Sequence, residues 1–396
     1  INYWPIGQAM GMWATLDRGE VAEDFARIAE AGFDCVRIFL LWEDFQPEPG
    51  EASAERLDDL VAVADAARDA DLSLMPTLFT GHMSGPKWAP SWLLGGSMRV
   101  PEGRQVVSDA HQHAGSYRNP YVDPMAVAAA ELQLREVVGR LKDHPGVWAW
   151  NLGNEPDNFA VPPDDERGAA WCARMFEVIR SIDPDRHRTV GLHSPSLTTR
   201  NHLRADPVFA EADFAVMHTY PIYADFGVGA LDPDTVPFAT ALTAALSGRP
   251  TMMEEFGACT APPGSETVDW RWQTEYRDYD QIMLSEETLA EHLADVLPRL
   301  VEVGATGALV WCYADYHESL WDRPPCDLQK HERHFGLVRP DGSLKPHAEV
   351  IRDFIASKPV IGEPSARARI EVDAEAFYRD PATTLPDLYA AFKEGR

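Results

Sequence analysis

Positive charge is scarce in this chain: 35 lysines and arginines stand against 63 aspartates and glutamates, a formal net charge of −28. That balance repels phosphate backbones and argues against a nucleic-acid partner, while a neutral ligand such as a sugar fits it better than an anion. Cysteine is scarce too. Cys35, Cys172, Cys259, Cys312 and Cys326 are widely spaced and odd in number, and no CxxC occurs, so zinc-ribbon and dithiol redox chemistry have no basis. They read as reduced thiols, which points to a cytoplasmic protein, although a chain that starts at Ile1 is also compatible with a removed signal peptide. No apolar run reaches the ~20 residues of a membrane-spanning helix. There is no internal repeat, no low-complexity tract, and no glycine-rich phosphate turn after the first predicted strand.

What is present is the composition of an ordinary soluble globular protein, 45% hydrophobic and 25% charged over 396 residues. Short β-rich runs alternate with amphipathic segments, the pattern of a parallel sheet with crossover helices. The predicted strands are "NYWPIG", "CVRIFLL", "LSLMPTLF", "VWAWNLG", "RTVGLHS", "FAVMHTY", "RPTMMEEFG" and "GALVWCY". Predicted helices lie between most of them, with Ser53 as a helix start, Gly304 as a helix stop and a weakly helical stretch between the fifth and sixth strands. Eight strand–helix units predict an α/β fold of the (β/α)8 TIM-barrel type. A doubly wound sheet is the alternative, and it lacks its phosphate turn here. The barrel is placed at residues 1–358. Residues 359–396 form a C-terminal extension, read as a strand, "ARARIEVD", plus a short helix, packing on the barrel or on a neighbouring subunit. Three strand-to-helix loops are long and aromatic, about 80–123, 257–284 and 316–342, and are expected to wall the site.

The stretch "WAWNLGNEP" ends an apolar strand in amides and an acid, Glu155, and "TMMEEFG" ends another in Glu255. Both lie at the C-terminal end of a predicted strand, the face on which barrel active sites are built. Two carboxyls flanking a sugar linkage are what glycoside hydrolysis needs, one to protonate the leaving oxygen and one to attack or to activate water. An isolated loop glutamate normally caps a helix or meets a surface cation; the position at two strand tips distinguishes this pair.

These residues carry a resemblance. "NLGNEP", "MHTYP" and "MEEFG", in this order and at this spacing, resemble the retaining β-glycosidases of the clan that contains glycoside hydrolase family 5, and the similarity runs from "VRIFLLWEDFQPEPG" through "GALVWCYADY". The stretch "FTGHMSGPKWAPSWLL" is similar to exo-acting β-mannosidases of that family, including those acting on the mannose–N-acetylglucosamine linkage of N-glycan cores. The resemblance implies Glu155 as acid/base, Glu255 as nucleophile and Asn154 on the 2-hydroxyl of the reacting sugar. It also implies Arg37 holding the nucleophile ionised, Tyr220 donating to it, His218 and His82 lining the sugar site, and Trp311 as a stacking platform. Glu254 is the rival nucleophile. Adjacent strand residues point to opposite sides, and the family places the nucleophile immediately before Phe-Gly, so Glu254 is expected to meet a cation or an amide behind the strand.

Trp88, Trp92, Trp270, Trp272 and Trp321 occupy the long loops and are expected to roof the cleft into a pocket. "HQH" at His111 and "HERH" at His331 are not metal motifs. No metal and no organic cofactor is expected, because paired carboxylates need neither. The function implied is a retaining exo-β-mannosidase acting on a β-linked oligosaccharide or glycoside, without nucleic acid or membrane. β-Glucoside or β-galactoside specificity, transglycosylation, a non-catalytic carbohydrate-binding barrel and a metal-dependent barrel hydrolase are the alternatives. Oligomeric state is not legible.

Overall fold

The apolar runs form parallel strands buried almost throughout, as strands covered by crossover helices must be. In a computed structural model, described over residues 1–99, 105–113, 115–275 and 277–395, they are β1 (Cys35–Leu41), β2 (Ser73–Thr80), β3 (Ala149–Asn154), β4 (His187–Gly191), β5 (Ala215–His218), β6 (Thr251–Phe256) and β7 (Ala308–Val310). Hydrogen bonding follows chain order, β1-β2-β3-β4 and β5-β6-β7. A parallel bridge between His193 and His218 joins the two arcs. The other seam is closed by the N-terminus: Asn2 bridges Arg37, and its amide donates to the Val310 carbonyl at 3.2 Å. The predicted first strand therefore contracts to a bridge at Asn2. Pro5 has no N–H for a ladder, and the chain turns into a 3-10 helix at Ala9–Thr15.

The helices begin where side chains satisfy their first amides. Asp17 caps Arg18–Glu30, Ser53 caps Ala54–Asp69, Asp123 caps Pro124–Leu141 and Ser285 caps Glu286–Glu302. Between β4 and β5 the connection holds only two single turns, Pro195–Thr198 and Ala205–Val208. No helix among the described residues is long and apolar enough to cross a membrane. All five cysteines are free and buried.

The three long loops fold on one another. Within 257–284 an antiparallel hairpin pairs Val268–Gln273 with Asp278–Met283. The loops 80–123 and 316–342 meet across the barrel mouth, where Ser84 Oγ lies 3.2 Å from the Tyr316 hydroxyl and Gln112 donates to Asp327 at 3.3 Å. Gln329 donates to the Tyr279 hydroxyl at 2.7 Å, tying in the hairpin. The tryptophans serve this packing. Trp88, Trp92, Trp272 and Trp321 each spend their indole N–H on a loop carbonyl, Trp272 stacks on Tyr279 at 4.6 Å, and Trp270 packs against His334. None of the five lines the cavity that holds Glu155 and Glu255, so the roof is made by the loops they brace rather than by the indoles.

The C-terminal extension corrects the reading of "ARARIEVD". That segment holds a 3-10 turn, Ala366–Ala368, and no strand, because no sheet edge lies beside it to pair its backbone; two helices follow, Ala374–Arg379 and Pro381–Lys393. The first meets the segment at Arg204 and Ala205, where Tyr378 accepts from the Ala205 amide at 2.9 Å, and the second packs on the barrel's own helix Thr235–Ser247. Tyr389 and Phe392 contact Phe238 at 4.9 and 5.4 Å, and Asp232 accepts from Tyr389 and Lys393. Phe392 is 1% exposed. Phe392→Ala is therefore expected to cost about 3–5 kcal/mol by the transfer and cavity terms of a core aromatic. Denaturant unfolding would show it, and a surface change below about 0.5 kcal/mol would mean that the extension is not part of the folded unit.

Candidate active site

The site is built from the strand tips inward. Arg37 projects from β1 into the barrel with no exposure, and its guanidinium makes four hydrogen bonds and a further ion pair. Nε donates to Thr77 at 2.8 Å; Nη1 donates to Asn2 at 3.1 Å and to Glu255 at 2.5 Å; Nη2 donates to Asn154 at 2.9 Å and lies 3.3 Å from Glu254. One buried cation thus sits between two buried carboxylates. Gly191, at the tip of β4, leaves the room: a Cβ there would lie 2.6 Å from the Gly153 carbonyl and 3.2 Å from Arg37 Nη2.

Glu254 and Glu255 both reach that guanidinium although they are neighbours on β6. The β5–β6 register shifts between Met217 and His218, and the β6–β7 register shifts between Met253 and Phe256, which breaks the strict alternation of the strand. Glu254 is fully buried inside the barrel rather than behind the strand. It accepts from Asn151 at 2.7 Å and meets His218 Nε2 at 2.9 Å, and Arg37 and His218 hold it below its ordinary value against the opposing effect of burial. Glu255 lines the cavity and receives the Tyr220 hydroxyl at 2.9 Å besides Arg37.

Glu155 follows β3 in a left-handed conformation (φ 45°), and Pro156 then opens a one-turn helix. This turn aims its carboxylate across the cleft toward Glu255. An oxygen of each and a nitrogen of His218 lie within 4.8 Å of one another. His218 Nδ1 is 3.1 Å from Glu155 and 3.4 Å from Glu255. His82 and Trp311 line the same cavity, with His82 Nε2 3.7 Å from Glu155 and Trp311 packed edge-on against Trp4 at 4.9 Å. Asn154 also lines it, and its amide is oriented by Arg37 and by donation to the His82 carbonyl at 3.0 Å. Every sequence-predicted site residue except Arg37, which is enclosed beneath the floor, therefore borders one cavity of about 660 Å³. A second cavity of about 590 Å³ lies among Trp88, Glu43, Asp44 and Tyr316, and neither Glu155 nor Glu255 lines it.

Several partners were not singled out in the sequence. His193, just beyond β4, places Nδ1 3.4 Å from Glu155 and Nε2 2.9 Å from Asp157, which Asn201 also holds at 2.9 Å. Asn158 donates to Glu155 at 2.8 Å. The signals were "RTVGLHS", a strand-tip histidine of the same kind as the one in "MHTY", and "NEPDN", whose Asp157 and Asn158 lie in the turn opened by Glu155.

Burial pushes the carboxyls of Glu155 and Glu255 up, and their neighbours then separate them. At Glu155, His193, His218 and His82 outweigh burial and hold the carboxyl well below the usual range. At Glu255, burial and the charge of Glu155 outweigh His218 and Arg37, and the net direction is upward. A general acid needs the opposite direction at Glu155. His218 moves the other way: burial would strip its proton, but Glu255, Glu155 and Glu254 raise the imidazole to about 9. The same cluster, Glu155, His218 and Glu255, offers donor atoms to a metal ion, but the Arg37 guanidinium already occupies one face of Glu255.

The sign of the His218 shift sets a pH dependence. A histidine raised from 6.5 to about 9 stabilises the fold fully below pH 6.5 and loses that contribution as pH rises through 9. The melting temperature of the wild type should therefore exceed that of His218→Asn most below pH 6.5, and the gap should shrink between pH 6.5 and 9. A gap constant over that window would mean that His218 is neutral in the fold.

Comparison with known proteins agrees with this geometry. The family model Cellulase (glycosyl hydrolase family 5) matches residues 7–285. A putative mannan endo-1,4-beta-mannosidase 5 of Oryza sativa subsp. japonica is 26% identical over 278 residues, 61% of this chain and 54% of that protein. The chain thus spans about half the length of this curated relative. Among solved structures, the exo-beta-1,4-mannosidase Op5Man5 from Opitutaceae bacterium strain TAV5 superposes with a TM-score of 0.72 at 25% identity, over 90% of this chain and 58% of that one. A GH5_18 protein from Streptomyces cattleya, solved in complex with Manb1-4GlcNAc, gives a TM-score of 0.79 at 20% identity over 99% and 89% of the two chains, a likeness of fold. With a (β/α)8 barrel, two carboxylates at the tips of β3 and β6, and a family model matched across most of its length, the chain belongs to glycosyl hydrolase family 5.

Proposed function

We propose that the protein is a retaining, exo-acting β-glycoside hydrolase that releases a terminal β-mannosyl residue. Glu255 attacks the anomeric carbon as the bond to the leaving oxygen breaks, and Glu155 gives that oxygen its proton. Water then attacks the glycosyl-enzyme, loses a proton to Glu155 and frees Glu255. The proton that Glu155 spends is available from His218 Nδ1, 3.1 Å away. One oxygen of each carboxyl lies within 4.8 Å of the other, which favours direct attack, for which carboxyls stand about 5–5.5 Å apart, over the wider spacing of about 6.5–9.5 Å in an inverting enzyme.

The observation that supports the exo reading is the contact between the loops 80–123 and 316–342, whose Ser84, Gly85 and Gln329 line the cavity. Gly85 and Gln329 are packed so tightly there that a Cβ on Gly85 would lie 2.6 Å from Gln329 Cγ. A chain-spanning groove must be open at both ends, whereas a terminal residue needs a dead end. Op5Man5 supports the exo-mannoside reading by its name; the mannan endo-mannosidases among the relatives and a β-galactosidase of Alicyclobacillus acidocaldarius, 25% identical over 165 residues, stand for the competing ones.

Nitrophenyl β-D-mannoside should be hydrolysed faster than its gluco and galacto analogues, with no turnover in Glu255→Gln. Glu155→Ala should lose about 10²–10⁴-fold and recover part of its rate with azide, which replaces the missing base-assisted water. Mannohexaose should release mannose from its first turnovers. Internal cleavage to shorter oligomers without mannose would reject the exo reading, and activity surviving in Glu255→Gln would reject the mechanism.

A further inference from the structure

The reaction leaves one largely enclosed carboxyl of the pocket unused; Asp225, Asp278 and Asp280 also line it but are exposed. Glu332 sits on the 3-10 helix Lys330–His334 and lines the same cavity as Glu155 and Glu255, with its side chain 14% exposed. No lysine or arginine pairs with it among the described residues. Its nearest ionisable neighbour in the ion-pair geometry is His331 at 3.5 Å, and burial together with the charge of Arg277 pushes that imidazole down to about 3, so it is neutral. The hydroxyl of Ser84 hydrogen-bonds Glu332 from the facing loop, and Ser84 is held there in a left-handed conformation (φ 50°) with its Oγ also 3.2 Å from the Tyr316 hydroxyl. A non-glycine residue in that region is strained, and such strain persists where the surrounding structure fixes a functional contact.

A buried carboxyl without a cation is costly as an anion and remains as the neutral acid. Burial, with the charges of Glu155 and Glu255 adding, pushes Glu332 up to about 8. At neutral pH it carries a proton and donates it, in a pocket whose other carboxyls accept. Glu332 and Ser84 line the cavity of Glu155 and Glu255, and Glu332 is close enough to feel the charge of both. A terminal ring with its anomeric carbon between those two carboxyls has its 3- and 4-hydroxyls on the opposite edge, free to meet a further donor on the cavity wall.

We infer that Glu332 is a specificity-determining residue that hydrogen-bonds the 3- or 4-hydroxyl of the terminal sugar. The inference rests on the exo-glycosidase reading above. It is distinct from recognition at carbon 2, which falls to the end of the ring at Asn154.

The test compares wild type, Glu332→Gln and Glu332→Ala on the best of the three nitrophenyl β-glycosides and on its 3-deoxy and 4-deoxy derivatives. Wild type should lose about 10–100-fold in kcat/KM on one of the two deoxy substrates, as a site built around a hydroxyl does when it is missing. Glu332→Ala should lose a similar factor on the parent glycoside and nothing further on that deoxy substrate. Glu332→Gln keeps a donor and should retain most of the parent rate. Full deoxy penalties in Glu332→Ala at both positions would overturn the inference. Should the alanine variant not fold, Glu332→Met, equal in length and without a donor, carries the same comparison. If wild type turns over none of the glycosides, the function reading fails by itself. The inference is then decided by the melting-temperature shifts that D-mannose and its 3-deoxy and 4-deoxy forms give Glu255→Gln with and without Glu332→Ala. Shifts independent of Glu332, or no shift at all, overturn it.

Discussion

The structure depends on one buried charge. Arg37 is enclosed at the centre of the barrel, and a guanidinium in that position is tolerable only if every donor is matched and its charge is neutralised. The matching residues come from around the whole circle: Asn2 at the seam, Thr77 on β2, Asn154 on β3, and Glu254 and Glu255 on β6. Folding the barrel and assembling the site are therefore the same event. The short seam at Asn2 matters for the same reason, since the Asn2 side chain also donates to the Glu254 carbonyl at 3.0 Å, linking closure to the strand that carries Glu255.

Above this floor a second layer sets protonation. Three histidines, His82, His193 and His218, face Glu155, and Asp157 buttresses His193. Their charge opposes burial and holds the Glu155 carboxyl below its usual range, the form that the proposed mechanism uses as base in its second half. For the first half that mechanism takes the proton from His218, 3.1 Å away. The loops complete the arrangement: strand tips place the carboxylates, and the loops 80–123 and 316–342 meet over the cavity.

Much of this was legible in the sequence because the signals are local. The tips of "VWAWNLGNEP" and "RPTMMEEFG" announce their carboxylates, since nothing in a buried strand calls for an acid at its end. Arg37, inside "CVRIFLL", was marked by the family resemblance. The failures are of the opposite kind. "ARARIEVD" alternates like a strand, but alternation needs a neighbouring edge and finds none. The loop tryptophans brace loop against loop because their N–H groups find carbonyls there, which spacing cannot foresee. Glu254 turned inward through a register shift that depends on neighbouring strands. His193 and Glu332 acquire meaning only through residues distant in sequence.

The central claim is that Glu155 and Glu255 act by direct displacement in two steps rather than by water attack across a wider gap. Proton NMR of the anomeric region during the first minutes of hydrolysis of nitrophenyl β-D-mannoside tests it most directly. The account requires β-mannose as the first product, with the α anomer growing in only by mutarotation. Appearance of α-mannose first would mean inversion, and would contradict the roles assigned to both carboxylates.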